Sequence, residues 1–220
     1  MDEVLRWDLT ELYPDPDSPE TKEDFQKVQR LARAFEKRCR GRINSPDLTA
    51  DFLASALHRL EKIQTALYKL GMYAALNFSL NTRDEEASAF MAQMERLEVA
   101  IQSQILFFDL EWKALSKKQA EQLASDPKLA RWRYALESER LLIPHTLSEP
   151  EEVILKRKSI IAEAWKTHFA KIVGRIEISG KSLDYALAKG VYNPDREERR
   201  SAQHAITDAF KGEMPYRCLT

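Results

Sequence analysis

The chain has 220 residues, 44% of them hydrophobic and 31% charged, which is enough apolar material for one large or two small folded domains and rules out a disordered chain. Its formal net charge is −1, so no global field draws it to nucleic acid or to an anionic membrane. Six glycines and nine prolines are few for an all-β protein.

The N-terminus, MDEVLRWDLTEL, has no basic stretch followed by an apolar run, so no signal peptide is expected. Apolar runs such as Ile105 to Phe108 are far too short to span a bilayer. Cys39 and Cys218 are widely separated, which fits a reducing, cytoplasmic setting better than a metal knuckle or a redox pair. Residues 1–18 read as an irregular arm anchored by Trp7 and ended by Pro14 and Pro16.

Ser18 followed by Pro19 starts a helix, because proline at the first helical position forgoes no hydrogen bond. Phe25, Val28, Leu31, Phe35 and Cys39 form one apolar stripe ending near Gly41. A second helix is expected from Asp47 to Phe78, with a seam of Leu53, Leu57, Leu60, Ile63, Leu67, Leu70 and Ala74. Gly71 lies inside it and suggests a tight helix crossing. Thr82 and Glu85 read as a capping box opening a third helix, with Met91, Met94, Leu97, Ile101, Ile105, Phe108 and Trp112 on its seam. Two long helices joined by a short link pack antiparallel, since each alone exposes its seam.

Ser116 with Gln119 suggests a further capping box. Asp126 and Pro127 start a helix containing Leu129, Trp132, Leu136, Arg131, Arg133 and Arg140. These arginines beside aromatics read as a solvated face rather than a nucleic-acid patch, because Glu137 and Glu139 dilute them. The apolar run before Pro144 ends in a turn of His145, Thr146 and Leu147. Ser148 then caps a helix with Glu151. Its expected core face is Ile154, Ile161, Trp165, Phe169 and Ile172, and Gly174 ends it. Arg175 to Ile178 alternate, Ser179 and Gly180 turn, and Lys181 follows, which predicts a small β-hairpin. A short helix over 183–188 precedes a last helix started by Asn193 and Pro194, with Ala202, Ala205, Ile206, Ala209 and Phe210 on one face. The tail after Gly212 is unpatterned.

The fold class expected is therefore all-α: an antiparallel helical bundle with long helices and one small β-hairpin near residues 175–182. The division expected is an N-terminal helical domain over 1–146, a second region over 147–211 and a tail over 212–220.

The residues offer no catalytic, cofactor-binding or metal site. None of His58, His145, His168 and His204 pairs with another at metal-binding helical spacing. The glutamate pairs Glu85–Glu86, Glu151–Glu152 and Glu197–Glu198 sit in first turns, where they complement the helix dipole. There is no phosphate loop and no nucleophile elbow.

Four segments in order, WDLTELYPD, NFSLNTRDEEA, IPHTLSEPEEVIL and YNPDREERRSA, resemble the N-terminal part of oligoendopeptidase F, in the thimet-oligopeptidase family of zinc metallopeptidases. The resemblance covers residues 5–211. It implies an all-helical, cytoplasmic peptidase that hydrolyses short peptides in an internal channel. It implies zinc on a His-Glu-x-x-His helix, which lies in the later part of a family chain. No such motif occurs here, so this chain reads as truncated before the zinc motif and as lacking its own zinc and catalytic residues. The resemblance implies short peptides as partners of a full-length relative, possible self-association through exposed apolar surface, and neither nucleic acid nor membrane. A free-standing helical interaction module built on a peptidase scaffold is the alternative.

Overall fold

The computed structural model describes residues 7–212. Helix dominates, as expected. The described residues fall into two compact units, 7–80 with 89–160, and 81–88 with 161–212.

In the first unit, the arm is held by Tyr13 rather than by Trp7. Tyr13 is 1% exposed and Trp7 67%. The reason is polar as well as apolar: the Tyr13 hydroxyl donates to Asp24 at 2.7 Å, and its ring lies edge-on to Tyr73. Helix α1 (Pro19–Cys39) opens on Ser18, whose hydroxyl accepts the Thr21 amide at 3.2 Å. Val28, Ala32, Phe35 and Cys39 are its buried stripe. Gly41 follows at φ 74°, a left-handed conformation that glycine adopts without steric cost. The Glu111 carboxylate then clamps the turn, accepting the amides of Gly41 and Ile43 at 2.6 and 3.0 Å.

Helix α2 (Ala50–Leu80) has 31 residues, hence is about 46 Å long. Its seam is buried as expected, except that Leu60 is half-buried. A Cβ added at Gly71 would meet nothing within 4 Å, so this glycine does not mark a tight crossing. Helix α3 (Glu85–Ile105) is capped by Asp84, whose carboxylate accepts the amides of Glu86 and Ala87. The expected Thr82–Glu85 box does not form, because an aspartate one residue before the helix outcompetes a threonine three before it. The continuous third helix expected to Trp112 is broken at Leu106, and α4 (Phe107–Ala114) follows. The break lets both Phe107 and Phe108 bury their rings against Phe35.

Helix α5 (Lys117–Ala124) starts at Ser116, which accepts the Gln119 amide. Only that half of the box forms, because the Gln119 side chain donates instead to the Ser45 carbonyl at 3.0 Å. Asp126 caps a single 3-10 turn, Pro127–Leu129, and the rest of the expected helix is a separate α6 (Arg133–Arg140). Arg133 donates to the Ala124 carbonyl at the end of α5. Arg140 donates to the carbonyls of Trp112 and Leu115 at the end of α4. These two arginines therefore close helix C-termini, with Arg140 half-buried, while Arg131 and Arg133 stay exposed as expected of a solvated face.

Tyr73 near the end of α2 meets Phe90 near the start of α3, and Asp24 early in α1 lies 3.9 Å from Lys69 late in α2. Both pairs run antiparallel. One core joins α1 to α6, with Phe35, Leu53, Leu70, Met94, Phe107 and Trp112 fully buried. Side chains of this size contribute about 1.5–3 kcal/mol each.

Helix α7 (Glu149–Arg175) begins in the first unit and ends in the second. At its start the Glu151 carboxylate accepts the Ser148 amide at 2.9 Å, but the Ser148 hydroxyl also donates to Glu151 instead of capping an amide. The expected core face is not a core: Ile154, Ile161, Trp165 and Phe169 are exposed, and no residue of α7 is buried. Gly174 does not end the helix. A Cβ there would collide with the Thr82 hydroxyl, while Arg83 donates twice to the Gly174 carbonyl, at 2.8 and 3.0 Å.

In the second unit, β1 (Glu177–Ile178) and β2 (Lys181–Ser182) form the antiparallel hairpin. Ser179 and Gly180 both have positive φ, as a tight two-residue hairpin turn demands. Helix α8 (Leu183–Tyr185) runs into a wider π turn, Ala186–Val191. Helix α9 (Arg196–Gly212) is capped by Asp195, not opened by Asn193 and Pro194. Asn193 instead accepts the Asp195 amide in the preceding turn. The stripe Ala202, Ala205, Ile206, Ala209 and Phe210 is half-buried, and Gly190 lies against Ala202. The tail after Gly212 lies outside the described residues. No described helix is long and apolar enough to cross a membrane.

Candidate functional surface

The polar residues most able to do chemistry are mainly engaged in holding helices. His58 Nδ1 lies 3.5 Å from Glu61, and its ring stands edge-on to Trp132 at 4.7 Å. His145 closes a 3-10 turn (Ile143–His145), His168 packs edge-on to Trp165, and His204 is an exposed residue of α9. Among the described residues, no three His, Cys, Asp or Glu side chains gather closely enough to hold a metal ion. Glu151 and Glu152 accept the amides of Ser148 and Leu147, so this pair caps α7. The bonds from Ser148 hold the Glu151 carboxyl below its usual range.

An open groove of about 620 Å³ runs along α2 and α3 in the first unit. Tyr68, Met72, Met91 and Met94 supply its apolar surface. Gln64, Thr65, Glu98 and Gln102 supply a polar rim. Helical spacing explains the α2 wall: residues 64, 68 and 72 lie on one face, with Gly71 beside them keeping the floor low. Tyr68 is 69% exposed, whereas Leu67 and Met94, which also line the groove, belong to the buried core, so the groove opens along the edge of the core seam. Unbranched methionines and an amphipathic tyrosine form an adaptable apolar surface suited to varied side chains.

A second, smaller pocket lies between α2, α4 and α6, with a volume of about 310 Å³. Leu57, Leu60, Phe108, Trp112, Trp132 and Leu136 give it apolar walls. Asp109 of α4 opens into it, and burial, reinforced by the neighbouring Glu139, pushes its carboxyl up to about 6. Lys113 and Lys156 oppose that shift. Sequence reasoning overlooked Asp109. The available signal was one acid inside the otherwise apolar stretch from Ile105 to Leu110.

Residues 111–177 match the family described as oligopeptidase F, in its N-terminal domain. That segment runs from the Glu111 clamp through α5, α6 and α7 to the first strand. A crystal structure of a "putative peptidase" from Chlamydophila abortus is similar over 94% of this chain, with a TM-score of 0.53 and 22% identity. At that identity the likeness concerns the fold. The chain spans 36% of that structure's length. No curated protein matches the chain.

Proposed function

We propose, from the premise that residues 111–177 carry the N-terminal domain pattern of oligopeptidase F, that this chain is the non-catalytic N-terminal portion of a peptidase of that family. Its role in this reading is to help wall the channel that admits short peptides. The family match is the observation that carries the reading, and the α2–α3 groove supports it as a surface that accommodates apolar side chains. Zinc chemistry does not fit the donor set of the described residues: no three His, Cys, Asp or Glu side chains gather, and Glu61, the carboxylate beside His58, accepts from Arg131 and the Trp132 indole. We therefore derive no hydrolytic step from this chain. Catalysis is assigned to another part of the peptidase, and the cytoplasm is the expected setting.

The test is binding of a short fluorescent peptide, followed by anisotropy. The chain should bind it weakly and saturably. Tyr68→Ala and Met72→Lys should each weaken binding about tenfold, the effect of losing one buried apolar side chain. Binding untouched by both changes would remove the groove from the account.

The exposed stripe of α7 favours a second reading, a helical interaction module. It predicts that peptide affinity ignores the groove and that Trp165→Glu abolishes association with a partner or a second copy.

A further inference from the structure

The pocket between α2, α4 and α6 contains two indole rings and three carboxylates, and the carboxylates differ in what holds them. Glu61 accepts from Arg131 at 3.0 Å and from the Trp132 indole at 2.9 Å. Glu139 takes the Lys113 ammonium at 2.6 Å. The Asp109 amide donates to the Leu106 carbonyl at 3.1 Å, but its carboxylate has no hydrogen bond or ion pair among the described residues, although Lys113 is one helical turn away on its own helix. A half-buried carboxylate with no protein donor has open acceptor sites for a ligand's donor. A metal ion is a poor complement, since one open carboxylate among rings offers too few oxygen ligands. An organic cation suits both features. The carboxylate takes its charge, and the Trp112 and Trp132 rings that line the pocket take the apolar body, while Arg140 and Arg131 already lie over those rings at 5.8 and 5.5 Å. The volume, about 310 Å³, is that of a small-molecule site.

We propose that this pocket binds an ammonium group carried on an apolar body, with Asp109 as the counter-ion and Trp112 and Trp132 as walls. A free arylalkylamine and the amino terminus of a peptide share that chemistry. The proposal stands apart from the reading of the α2–α3 groove and does not depend on it. Because Asp109 must be ionised, binding weakens on acidification through about pH 6. The other charged groups around it are Lys113 on its own helix, Glu61 from α2, Glu139 from α6 and Lys156 from α7, and bound ammonium favours ionised Asp109.

The test is calorimetric titration of the full 220-residue chain with phenethylammonium near neutral pH. Single-site binding is expected, with its neutral counterpart, phenethyl alcohol, at least about tenfold weaker. Asp109→Asn should cost the amine about tenfold or more and leave the alcohol unchanged. Ala135→Leu, which narrows the pocket mouth on α6, should weaken both ligands, and a thermal melt of each variant checks its fold. Titration with the amide of Phe-Ala and with its N-acetyl form separates the two sources. Loss on acetylation assigns the peptide amino terminus, whereas binding of the amine alone assigns a free amine. Equal affinity for amine and alcohol, full affinity in Asp109→Asn, binding indifferent to acid, or no saturable binding overturns the proposal.

Discussion

Asp109 and Tyr13 show how single polar groups set local stability in opposite senses. The Asp109 carboxyl is raised to about 6, against 3.8 for an ordinary aspartate, chiefly by burial. The folded chain therefore holds this proton more tightly than the unfolded chain. Its contribution is fully present below about pH 4, is lost as pH rises through about 6, and above that is a cost on the order of 2–3 kcal/mol. Asp109→Asn should therefore raise the melting temperature near neutral pH, and the gain should vanish near pH 4. A gain that persists unchanged in acid would contradict this assignment. Tyr13 is the reverse case, because its hydroxyl finds a partner in Asp24. Tyr13→Phe should cost about 1 kcal/mol in denaturant melts, whereas Trp7→Ala, at an exposed site, should change stability by less than about 0.5 kcal/mol. The sequence favoured Trp7 because size is visible there and hydrogen-bond partners eleven residues away are not.

At the scale of elements, periodicity identified most of the α2 seam and Val28, Phe35 and Cys39 on α1, whereas Phe25 and Leu31 are only half-buried and Ala32 takes a buried place the pattern did not mark. It could not see the break at Leu106. Ile105, Phe108 and Trp112 keep steps of three and four across it, and only packing against Phe35 shows why two adjacent phenylalanines both turn inward. It also gave α7 a core face that is exposed, since a stripe reveals apolar character and not what covers it. Caps were legible when serine or aspartate stood directly before a helix, as at Ser18 and Asp126, and misplaced when a nearer aspartate competed, as at Asp84 and Asp195. The glycines separate along the same line. Gly71→Ala should stabilise α2 by about 0.5–1 kcal/mol, because the added methyl meets only open space. Gly190→Ala should destabilise, since its Cβ would lie 2.5 Å from that of Ala202. Opposite shifts in thermal melts are the expected outcome, and a destabilised Gly71→Ala would mean that a tight crossing exists after all. Arg140→Met should cost about 2 kcal/mol by removing the charged donor from the carbonyls of Trp112 and Leu115, of which Trp112 keeps only the long bond from the Leu115 amide.

For the whole molecule, the all-helical architecture with one hairpin among the described residues was legible in composition and spacing, and the match over residues 111–177 falls on the stretch that carries the IPHTLSEPEEVIL segment. The α2–α3 groove was not legible, because a concavity depends on how two seams meet. Among the histidines and paired glutamates, the usual markers of hydrolytic chemistry, His58 and His168 lie against aromatic rings and Glu151 and Glu152 cap α7. The central proposal is that this chain contributes a wall to a peptidase rather than its zinc site. Its most direct test is hydrolysis of an internally quenched short peptide by the pure chain supplied with zinc, with and without a chelator. The account predicts no chelator-sensitive cleavage, and cleavage that the chelator abolishes would contradict it.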